Sequence, residues 1–351
     1  MSAMNQLALL PRNKIDGTYR LGELFAGAGG MAYGAHKAEY DGYSFSHVWA
    51  NDMDKDACKT LRQNVPVETV MCSNVEKLCF EQLGLIDGLV FGFPCNDFSV
   101  VGERNGLKGK YGGLYKWGIK GLKTLKPLFF VAENVGGLAS NGLGIILTEM
   151  RQAGYKVFKQ TYRFEEYGVP QARHRIIIIG FRSDLGIDEF EHPWPTTANC
   201  PVTSELALAD IPRNAPNNER TVQSRRVVER LKHIKPGENA FTADLPEDLK
   251  LQMKSNAKIS QIYRRLRPDK PSYTVTGSGG GGTHLYHWKE PRALTNRERA
   301  RLQSFPDDFV FLGGKESVRK QIGMAVPPKG AKVIFTAVLQ TLIENGVTSI
   351  C

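Results

Sequence analysis

Residues 19–32 read YRLGELFAGAGGMA, and this stretch decides the fold class. Its first six residues have the pattern of a buried strand, which leads into a glycine-rich turn and then a helix. Glycine lets the backbone turn sharply and approach a ligand, with a helix amino terminus opening behind the turn. The spacing Gly27-x-Gly29-x-x-Ala32 also satisfies the dinucleotide fingerprint. The stretch therefore predicts an α/β domain that binds an adenosine-containing cofactor.

An acidic residue follows the glycine-rich turn at the spacing that such a cofactor requires. Asp52 stands at the end of a second strand pattern, residues 46–51, and a helical pattern covers residues 55–64. A carboxylate at this strand end can accept hydrogen bonds from both ribose hydroxyls of an adenosine. These features do not separate NAD from S-adenosylmethionine, so the cofactor stays open at this point.

A cysteine lies on the turn after a third buried-strand pattern. Residues 85–91 lead into the sequence GFPC at 92–95, and another apolar run at 128–132 ends in Glu133. The carboxyl ends of parallel strands meet at one edge of a sheet, where open α/β sheets bind their ligands. The sequence therefore predicts that the thiol of Cys95 and a carboxylic acid share one crevice.

Two arginines precede a further buried strand pattern at residues 176–181. Arg173 and Arg175 alternate, so both guanidinium groups should lie on one face of the strand. The guanidinium group offers a rigid fork of donors, which suits a phosphate or a base carbonyl.

Length, charge and cysteine usage set the outer limits on function. The 351 residues leave room for one large domain and a smaller one, and 46 Lys or Arg against 36 acidic residues favour polyanionic partners. No apolar run approaches the roughly 20 residues of a membrane span, and no secretory signal is expected. Six cysteines without a CxxC pair predict a reducing cytosol, with no disulfide framework and no metal site.

Six segments, in this order, resemble the motifs of the cytosine-C5 DNA methyltransferases of bacterial restriction–modification type. They are FAGAGG at 25–30, GFPC at 92–95, ENV at 133–135, QxRxR at 171–175, RALT with LQSFPDDF at 292–309, and QIGMAVPP at 321–328. The resemblance covers nearly the whole chain. It implies an α/β, Rossmann-like S-adenosylmethionine-dependent methyltransferase fold with a mostly parallel sheet, plus a smaller irregular target-recognition domain.

The resemblance also implies where the domains begin and end. Residues 18–184 and 292–351 would form a discontinuous cofactor-binding and catalytic domain, 185–291 the target-recognition domain, and 1–17 an amino-terminal extension. The strong alternation of strands and helices fades over 185–291, in agreement with this division. Residues 261–301 hold nine Lys or Arg and three acidic residues, which predicts contacts with DNA phosphates.

Four residues receive catalytic roles from the resemblance. The thiolate of Cys95 would add to C6 of cytosine, because C5 attacks a methyl sulfonium only after the aromaticity of the ring is broken. Glu133 would stabilise the ring at N3 and the exocyclic amine. Arg175 would donate to O2 of the base, with Arg173 as its partner. A base inside a duplex cannot be reached, so the target cytosine would be flipped out of the stack.

The remaining predicted site residues fall into two groups. S-adenosylmethionine would contact Phe25, Ala26, Gly27, Gly29, Gly30, Asp52, Met53, Asn74, Val75, Pro94, Leu114, Met324 and Ala325. Double-stranded DNA would contact Ser99, Arg104, Lys108, Lys110, Gln171, Arg264, Arg265, Thr283 and His284. Met53, Asn74 and Met324 depart from the aromatic residue, Asp and Asn that are typical of the family, so the identity of the donor stays open.

The resemblance thus implies a DNA (cytosine-5-)-methyltransferase that acts as a monomer in the cytoplasm, associated with the nucleoid, without a membrane. A restriction endonuclease acting on the same site is the protein partner that it suggests. Three alternatives stay open: an RNA cytosine-C5 methyltransferase of the same fold, a catalytically silent DNA-binding paralogue, and an enzyme that uses a modified sulfonium donor. The target sequence cannot be derived from one chain.

Overall fold

The computed structural model describes residues 17–93, 113–135, 142–251, 261–277 and 282–350. The strands of these ranges are β1 (Thr18–Leu24), β2 (Ser44–Asp52), β3 (Val67–Cys72), β4 (Gly88–Gly92), β5 (Phe129–Val135), β6 (Tyr155–Arg163) and β7 (His174–Arg182). The helices are α1 (Gly30–His36), α2 (Lys55–Asn64), α3 (Tyr115–Leu125), α4 (Leu143–Gln152), α5 (Ser204–Leu208), α6 (Arg225–His233), α7 (Asn296–Leu302), α8 (Lys315–Met324) and α9 (Pro328–Glu344).

The strands form one sheet in the order β3-β2-β1-β4-β5-β7-β6. Within this described sheet β7 runs antiparallel to both of its neighbours, and all other pairs are parallel. The predicted mostly parallel α/β sheet is therefore confirmed. The antiparallel direction of β7 brings its first residues to the edge where β1, β2, β4 and β5 end. Both the crevice beside β1 and the start of β7 thus belong to one edge.

Both faces of the sheet are covered by helices, which explains its long apolar runs. Ile177, Ile179 and Phe181 of β7 pack in the cluster that contains residues of α1 and α9. Ile176 and Ile178, which alternate with them, pack in the cluster that contains residues of α3 and α4. The same period of two is expected of any strand that is buried on both faces.

The carboxyl-terminal helix α9 returns to the start of the chain. An added Cβ at Gly34 of α1 would lie 2.4 Å from Cβ of Ala331 and 2.6 Å from the carbonyl oxygen of Pro328. The close approach of α1 and α9 therefore depends on a residue without a side chain at position 34. This contact agrees with the predicted return of residues 292–351 to the first domain.

A segment from the predicted recognition domain also returns to the sheet. We call residues 272–277 the return segment. Its Ser272 donates a backbone hydrogen bond to the carbonyl of Pro170 (3.0 Å) and accepts one from Ala172 N (2.8 Å). Thr274 Oγ1 donates to the Ala172 carbonyl at 2.7 Å. The return segment is thereby fixed against the residues that lead into β7.

On its other side the return segment touches the end of α8. An added Cβ at Gly323 would lie 2.0 Å from the backbone nitrogen of Gly277 and 2.1 Å from the carbonyl carbon of Thr276. Backbone therefore packs directly on backbone at this point, and neither partner can move aside as a side chain would.

The predicted recognition domain has two packing environments. Leu231, Ile234 and Ile262 belong to a small cluster of their own. Val275 and Leu285 instead belong to a cluster that includes apolar residues of α7 and α8. The domain boundaries at 185 and 291 stay a prediction, and the second cluster joins the two predicted domains.

One stretch of the described residues is long and apolar enough to cross a membrane. It covers Lys315–Glu344, and 72% of its 18-residue window is buried inside the protein. Such burial is typical of a core helix, so this feature is weak evidence for a membrane span.

We predict that Gly323→Ala strongly destabilises the protein. The added methyl group would displace the backbone of the return segment, an effect comparable to overpacking that costs about 1–3 kcal/mol or more. Gly144→Ala is the matched control, because an added Cβ there meets nothing within 4 Å and alanine favours the helix by about 1 kcal/mol. In urea unfolding, Gly144→Ala should be the most stable of the three proteins, followed by the wild type and then by Gly323→Ala. Equal stability of both variants would contradict the close packing.

A buried polar group lies between α1 and the strands β1 and β2. His47 Nε2 is 3.1 Å from Glu23 Oε2, and the His47 ring stacks on His36 with centroids 5.2 Å apart. Burial raises the pKa of Glu23 well above its usual range. Burial lowers the pKa of His47 to about 3, and burial, followed by the charges of His47 and Lys37, lowers that of His36 to about 4. Both histidine rings are therefore neutral near pH 7.

We predict that His36→Phe weakens the dependence of stability on acidic pH. Between pH 6.5 and about 4 the unfolded chain binds a proton at His36 that the folded protein does not bind. Stability conferred by the neutral ring is consequently lost as the pH falls through this window. Urea midpoints at pH 7 and 4.5 should differ less for His36→Phe than for wild type and for the exposed control His233→Gln. An equal decline in all three proteins would contradict this account.

Candidate active site

The glycine-rich turn after β1 is held by a carboxylate from the next strand. Phe25, Gly27 and Gly29 have φ of 57°, 54° and 89°, in the left-handed region. Asp52 Oδ2 accepts a hydrogen bond from Gly27 N, and Oδ1 accepts one from Asp54 N, both at 2.8 Å. Each carboxylate oxygen keeps a second lone pair. Burial raises the pKa of Asp52, an effect that these two N–H donors oppose.

The space in front of this turn is open. An added Cβ at Gly27 would meet nothing within 4 Å, and the Met53 side chain beside Asp52 is 72% exposed. An open backbone turn, a carboxylate with free lone pairs and exposed apolar surface fit an adenosine group. The structure therefore brings together the residues that the sequence predicts for one half of a cofactor site.

The end of α8 closes the other side of the turn. An added Cβ at Gly30 would lie 2.3 Å from the Val326 carbonyl oxygen and 3.2 Å from Cβ of Ala325. Met324, just before Ala325, is 57% exposed. The predicted positions Ala325 and Gly30 therefore lie side by side, and Met324 offers apolar surface where the resemblance implies a polar residue.

Three further predicted cofactor positions have mainly structural contacts. Asn74 caps the short helical turn Val75–Lys77, and its Oδ1 accepts from Glu76 N at 3.2 Å. Val75 is buried in the same cluster against which Leu114, just before α3, is partly buried. Asn74 is exposed, and its role toward a ligand stays a prediction.

Glu133 and Arg175 form an ion pair at the ends of β5 and β7. The distance between Arg175 Nε and Glu133 Oε1 is 2.9 Å, and both side chains are largely buried. In the parallel register Glu133 lies opposite Gly92, and an added Cβ at Gly92 would lie 3.5 Å from Glu133 Oε2. The carboxylate therefore lies beside the end of β4, from which the predicted nucleophile follows in sequence.

The neighbouring residue ties β5 to the end of β4. The buried Asn134 donates through Nδ2 to the carbonyl oxygen of Phe93 at 3.0 Å. Several predicted residues follow Phe93 and lie outside the described residues: Pro94, Cys95, Ser99, Arg104, Lys108 and Lys110. The structure thus places the acid and the strand end, and the role of the thiol stays a prediction.

Arg173 has partners different from those of Arg175. Its side chain is only 2% exposed, and the guanidinium donates to the carbonyls of Val275 and Gly323, both at 3.1 Å. The expectation that both arginines face the substrate as a pair does not agree with these contacts. Arg173 instead connects the entry to β7 with the return segment and α8, because three separate segments converge on its position.

Gln171 is likewise part of the interior and not of a DNA-facing surface. It is fully buried, its Oε1 accepts from Val275 N at 2.7 Å, and its Nε2 donates to Gln303 Oε1 at 2.9 Å. Gln303 in turn donates to the Ile322 carbonyl at 2.7 Å. The predicted contact of Gln171 with DNA is contradicted by this burial.

Arg265 shows the same departure from expectation. Its guanidinium donates to the carbonyls of Leu231 (3.0 Å), Ile234 (2.8 Å), His287 (2.9 Å) and Trp288. Nε, Nη1 and Nη2 of Arg265 therefore all donate hydrogen bonds inside the protein. Arg265 therefore holds the recognition region together, and its predicted contact with DNA is contradicted in this arrangement.

The other predicted DNA-contacting residues within the described ranges, Arg264, Thr283 and His284, are partly accessible. The Arg264 guanidinium lies 3.4 Å from the centroid of the Tyr273 ring. Thr283 and His284 are half-buried, and His284 Nδ1 lies 3.5 Å from Nη2 of Arg299 in α7. Their contact with DNA stays a prediction.

Some residues that organise the site were not selected from the sequence. Asn134 and Gln303 lie within the family motifs at 133–135 and 292–309, and this position was the sequence feature that could have identified them. Glu165, which accepts from Arg173 N at 3.2 Å and lies 2.7 Å from His174 Nε2, has no comparable signal. Its role appears only when the turn before β7 is folded.

Similarity to known proteins agrees with this geometry. The sequence profile of the C-5 cytosine-specific DNA methylases matches residues 19–340. The Type II methyltransferase M.BbvI of Brevibacillus brevis is 54% identical over 343 residues, covering 92% of this chain and 91% of that protein. The Type II methyltransferase M.NgoFVII of Neisseria gonorrhoeae is 41% identical over 335 residues, covering 92% and 87%.

Solved structures share the fold over nearly the same length. A candidate DNA modification methyltransferase encoded within an E. coli prophage has a TM-score of 0.72 and 25% identity, covering 93% of this chain and 99% of that one. DNMT2 of Spodoptera frugiperda has a TM-score of 0.63 and 16% identity, covering 93% and 99%. With a family profile that spans most of the chain and relatives this similar, the protein belongs to the C-5 cytosine-specific DNA methylase family.

Proposed function

We propose that this methylase acts on a flipped-out cytosine of duplex DNA, with Cys95 as nucleophile and Glu133 and Arg175 as the groups that bind the base. The Glu133–Arg175 pair, at the end of β5 and the start of β7, is the observation that carries the proposal. On cytosine, O2 and N3 are neighbouring atoms of one edge. A donor to O2 and an acid at N3 must therefore lie side by side, as these two side chains do.

The proposed chemistry assigns each residue one task. The thiolate of Cys95 forms a bond to C6, and the electron pair of the C5–C6 double bond is displaced into the ring. Glu133 delivers a proton to N3, while Arg175 binds O2, so that the ring becomes electron-rich at C5. After methylation, water removes the C5 proton, which restores the C5–C6 double bond as the sulfur leaves, and N3 returns its proton to Glu133. The positive charge of Arg175 also favours the thiolate form of a nearby cysteine.

The open crevice at the glycine-rich turn suits S-adenosylmethionine. Asp52 would bind the ribose hydroxyls, and Met53 would cover the adenine with a polarizable thioether. Bound there, S-adenosylmethionine supplies a methyl group activated by a positively charged sulfur. Met324 and Ala325 would border the transferable end, because the end of α8 lies beside Gly30.

Duplex DNA and a restriction–modification setting complete the proposal. The relatives named above are Type II methyltransferases. The region 185–291 would recognise the target sequence, and a restriction endonuclease acting on the same site would be the partner. We further propose that the protein acts as a monomer in the cytoplasm, close to the nucleoid.

We predict that the protein transfers labelled methyl from S-adenosylmethionine to C5 of cytosine in mixed-sequence duplex DNA. Glu133→Gln should lower kcat by about 10²–10⁴-fold, since an amide cannot deliver the proton to N3. Glu68→Gln is the matched control, because Glu68 is exposed on β3, away from the proposed site. Digestion and chromatography of the nucleosides identify the product. Label at another position, or a Glu133→Gln rate within threefold of wild type, would contradict the proposal.

A further inference from the structure

A small pocket beside α7 is lined mainly by hydrogen-bond donors and cationic groups. Six of its lining residues can bind an anion: Thr221, His284, Asn296, Arg299, Lys315 and Arg319. The volume is about 50 Å³, several times the space that one water molecule needs. None of the proposed cytosine and cofactor residues lines the pocket, whereas His284, a predicted DNA-contacting residue, does.

Arg299 is the unusual member of this group. It is 2% exposed, and its guanidinium has one contact at hydrogen-bond range in the described part of the chain, 3.5 Å from Nη2 to His284 Nδ1. No carboxylate of the described residues lies within 4.0 Å of it. Arg173 and Arg265 are also buried, at 2% and 6% exposure, but backbone carbonyls bind their guanidinium groups. A buried charge without such partners is costly.

The positive charge of Arg319 acts on Arg299, and the charge of Glu298 offsets it only in part. Burial, followed by the charge of Arg319, lowers the pKa of Arg299 to about 10, so the group stays cationic near neutral pH. Burial, followed by the charges of Arg299 and Arg319, lowers the pKa of His284 to about 4. The three groups therefore share a region of positive potential, and an anion there would relieve the repulsion.

Two acidic residues also line the pocket but do not neutralise it. Glu316 pairs with Arg319 through both Nη1 (2.9 Å) and Nη2, and its side chain is 76% exposed. Glu219 is exposed at the rim. With Arg299, Arg319 and Lys315 opposite them, the lining keeps a net positive charge.

We propose that this pocket binds a single phosphate-type oxyanion against Arg299. Arg299 offers a planar fork of donors, the geometry that matches phosphate oxygens, and Arg319 adds positive charge beside it while its Nη groups pair with Glu316. Thr221, Asn296 and Lys315 add a hydroxyl, an amide and an ammonium donor around the same space. The oxyanion comes from the DNA backbone or from free phosphate. The DNA source rests on the proposed function, whereas binding of the free anion does not.

The first experiment uses inorganic phosphate and no DNA. Sodium phosphate should raise Tm of the wild type by about 2–4 °C over sodium chloride of equal ionic strength, at concentrations near 100 times Kd. Arg299→Met should abolish this increment. Arg213→Met, which changes an exposed arginine outside the pocket, should retain it. If Arg299→Met does not fold, Lys315→Gln at the exposed rim should reduce the increment. No increment in the wild type, or an equal one in the pocket variants, would overturn the proposal.

The second experiment identifies the source of the anion. If a backbone phosphate occupies the pocket, the slope of log affinity for duplex DNA against log salt should fall by about one in Arg299→Met. Inorganic phosphate should then compete with DNA at constant ionic strength in the wild type. An unchanged slope together with the lost Tm increment assigns the pocket to the free anion. The first experiment remains decisive even if the protein fails to bind DNA.

Discussion

The hydrogen bonds of Gln171 and Arg173 with the return segment fix two parts of the site relative to each other. These are the Glu133–Arg175 pair and the crevice at the glycine-rich turn. Val275 N donates to Gln171, the Val275 carbonyl accepts from Arg173, and the same guanidinium reaches Gly323 at the end of α8. β7 starts directly after these residues, so their position sets where Arg175 meets Glu133. Gly323 directly precedes Met324, so the same contacts set the far side of the cofactor crevice.

This hydrogen-bond network is sensitive to substitution because its polar groups are buried. Removing one partner from a buried hydrogen bond leaves the other unsatisfied, at a cost of about 1–3 kcal/mol. Groups that share a network are coupled, so the loss of one weakens the others. The close contact of Gly323 with Gly277 leaves the backbone no room to adjust. The predicted recognition region and the predicted catalytic domain are therefore joined through a close backbone contact.

The composition of residues 261–301 predicts contacts with DNA phosphates, but several of these basic side chains bind groups of the protein itself. Of the nine basic residues at 261–301, Arg265 and Arg297 bind backbone carbonyls, and Arg292 and Arg301 pair with Glu298 and Asp307. Four of the nine basic side chains therefore stabilise the fold on both sides of the predicted domain boundary at residue 291. The DNA-facing charge must be smaller than the count predicts, because these donors are already used.

Short-range sequence patterns correctly predicted the elements whose structure depends on neighbouring residues. The strand, glycine turn and helix at 19–36, the helix Lys55–Asn64 and the meeting of β4 with β5 all follow from short-range periodicity and glycine conformations. The return segment could not be predicted, because Gln171 and Val275 are 104 positions apart and no periodic pattern marks their contact. The sequence likewise does not distinguish an arginine that is buried from one that faces DNA. Only the fold decides which carbonyls or acids come within reach.

The most direct test of the account is to trap the bond between Cys95 and the base. Duplex DNA that carries 5-fluorocytosine lacks the C5 proton whose loss releases the sulfur, so the adduct should persist. The account predicts a complex stable to denaturation when S-adenosylmethionine is present, with the nucleotide on the peptide that contains Cys95, and none with Cys95→Ala. An adduct on another residue, or its formation by Cys95→Ala, would contradict the central claim.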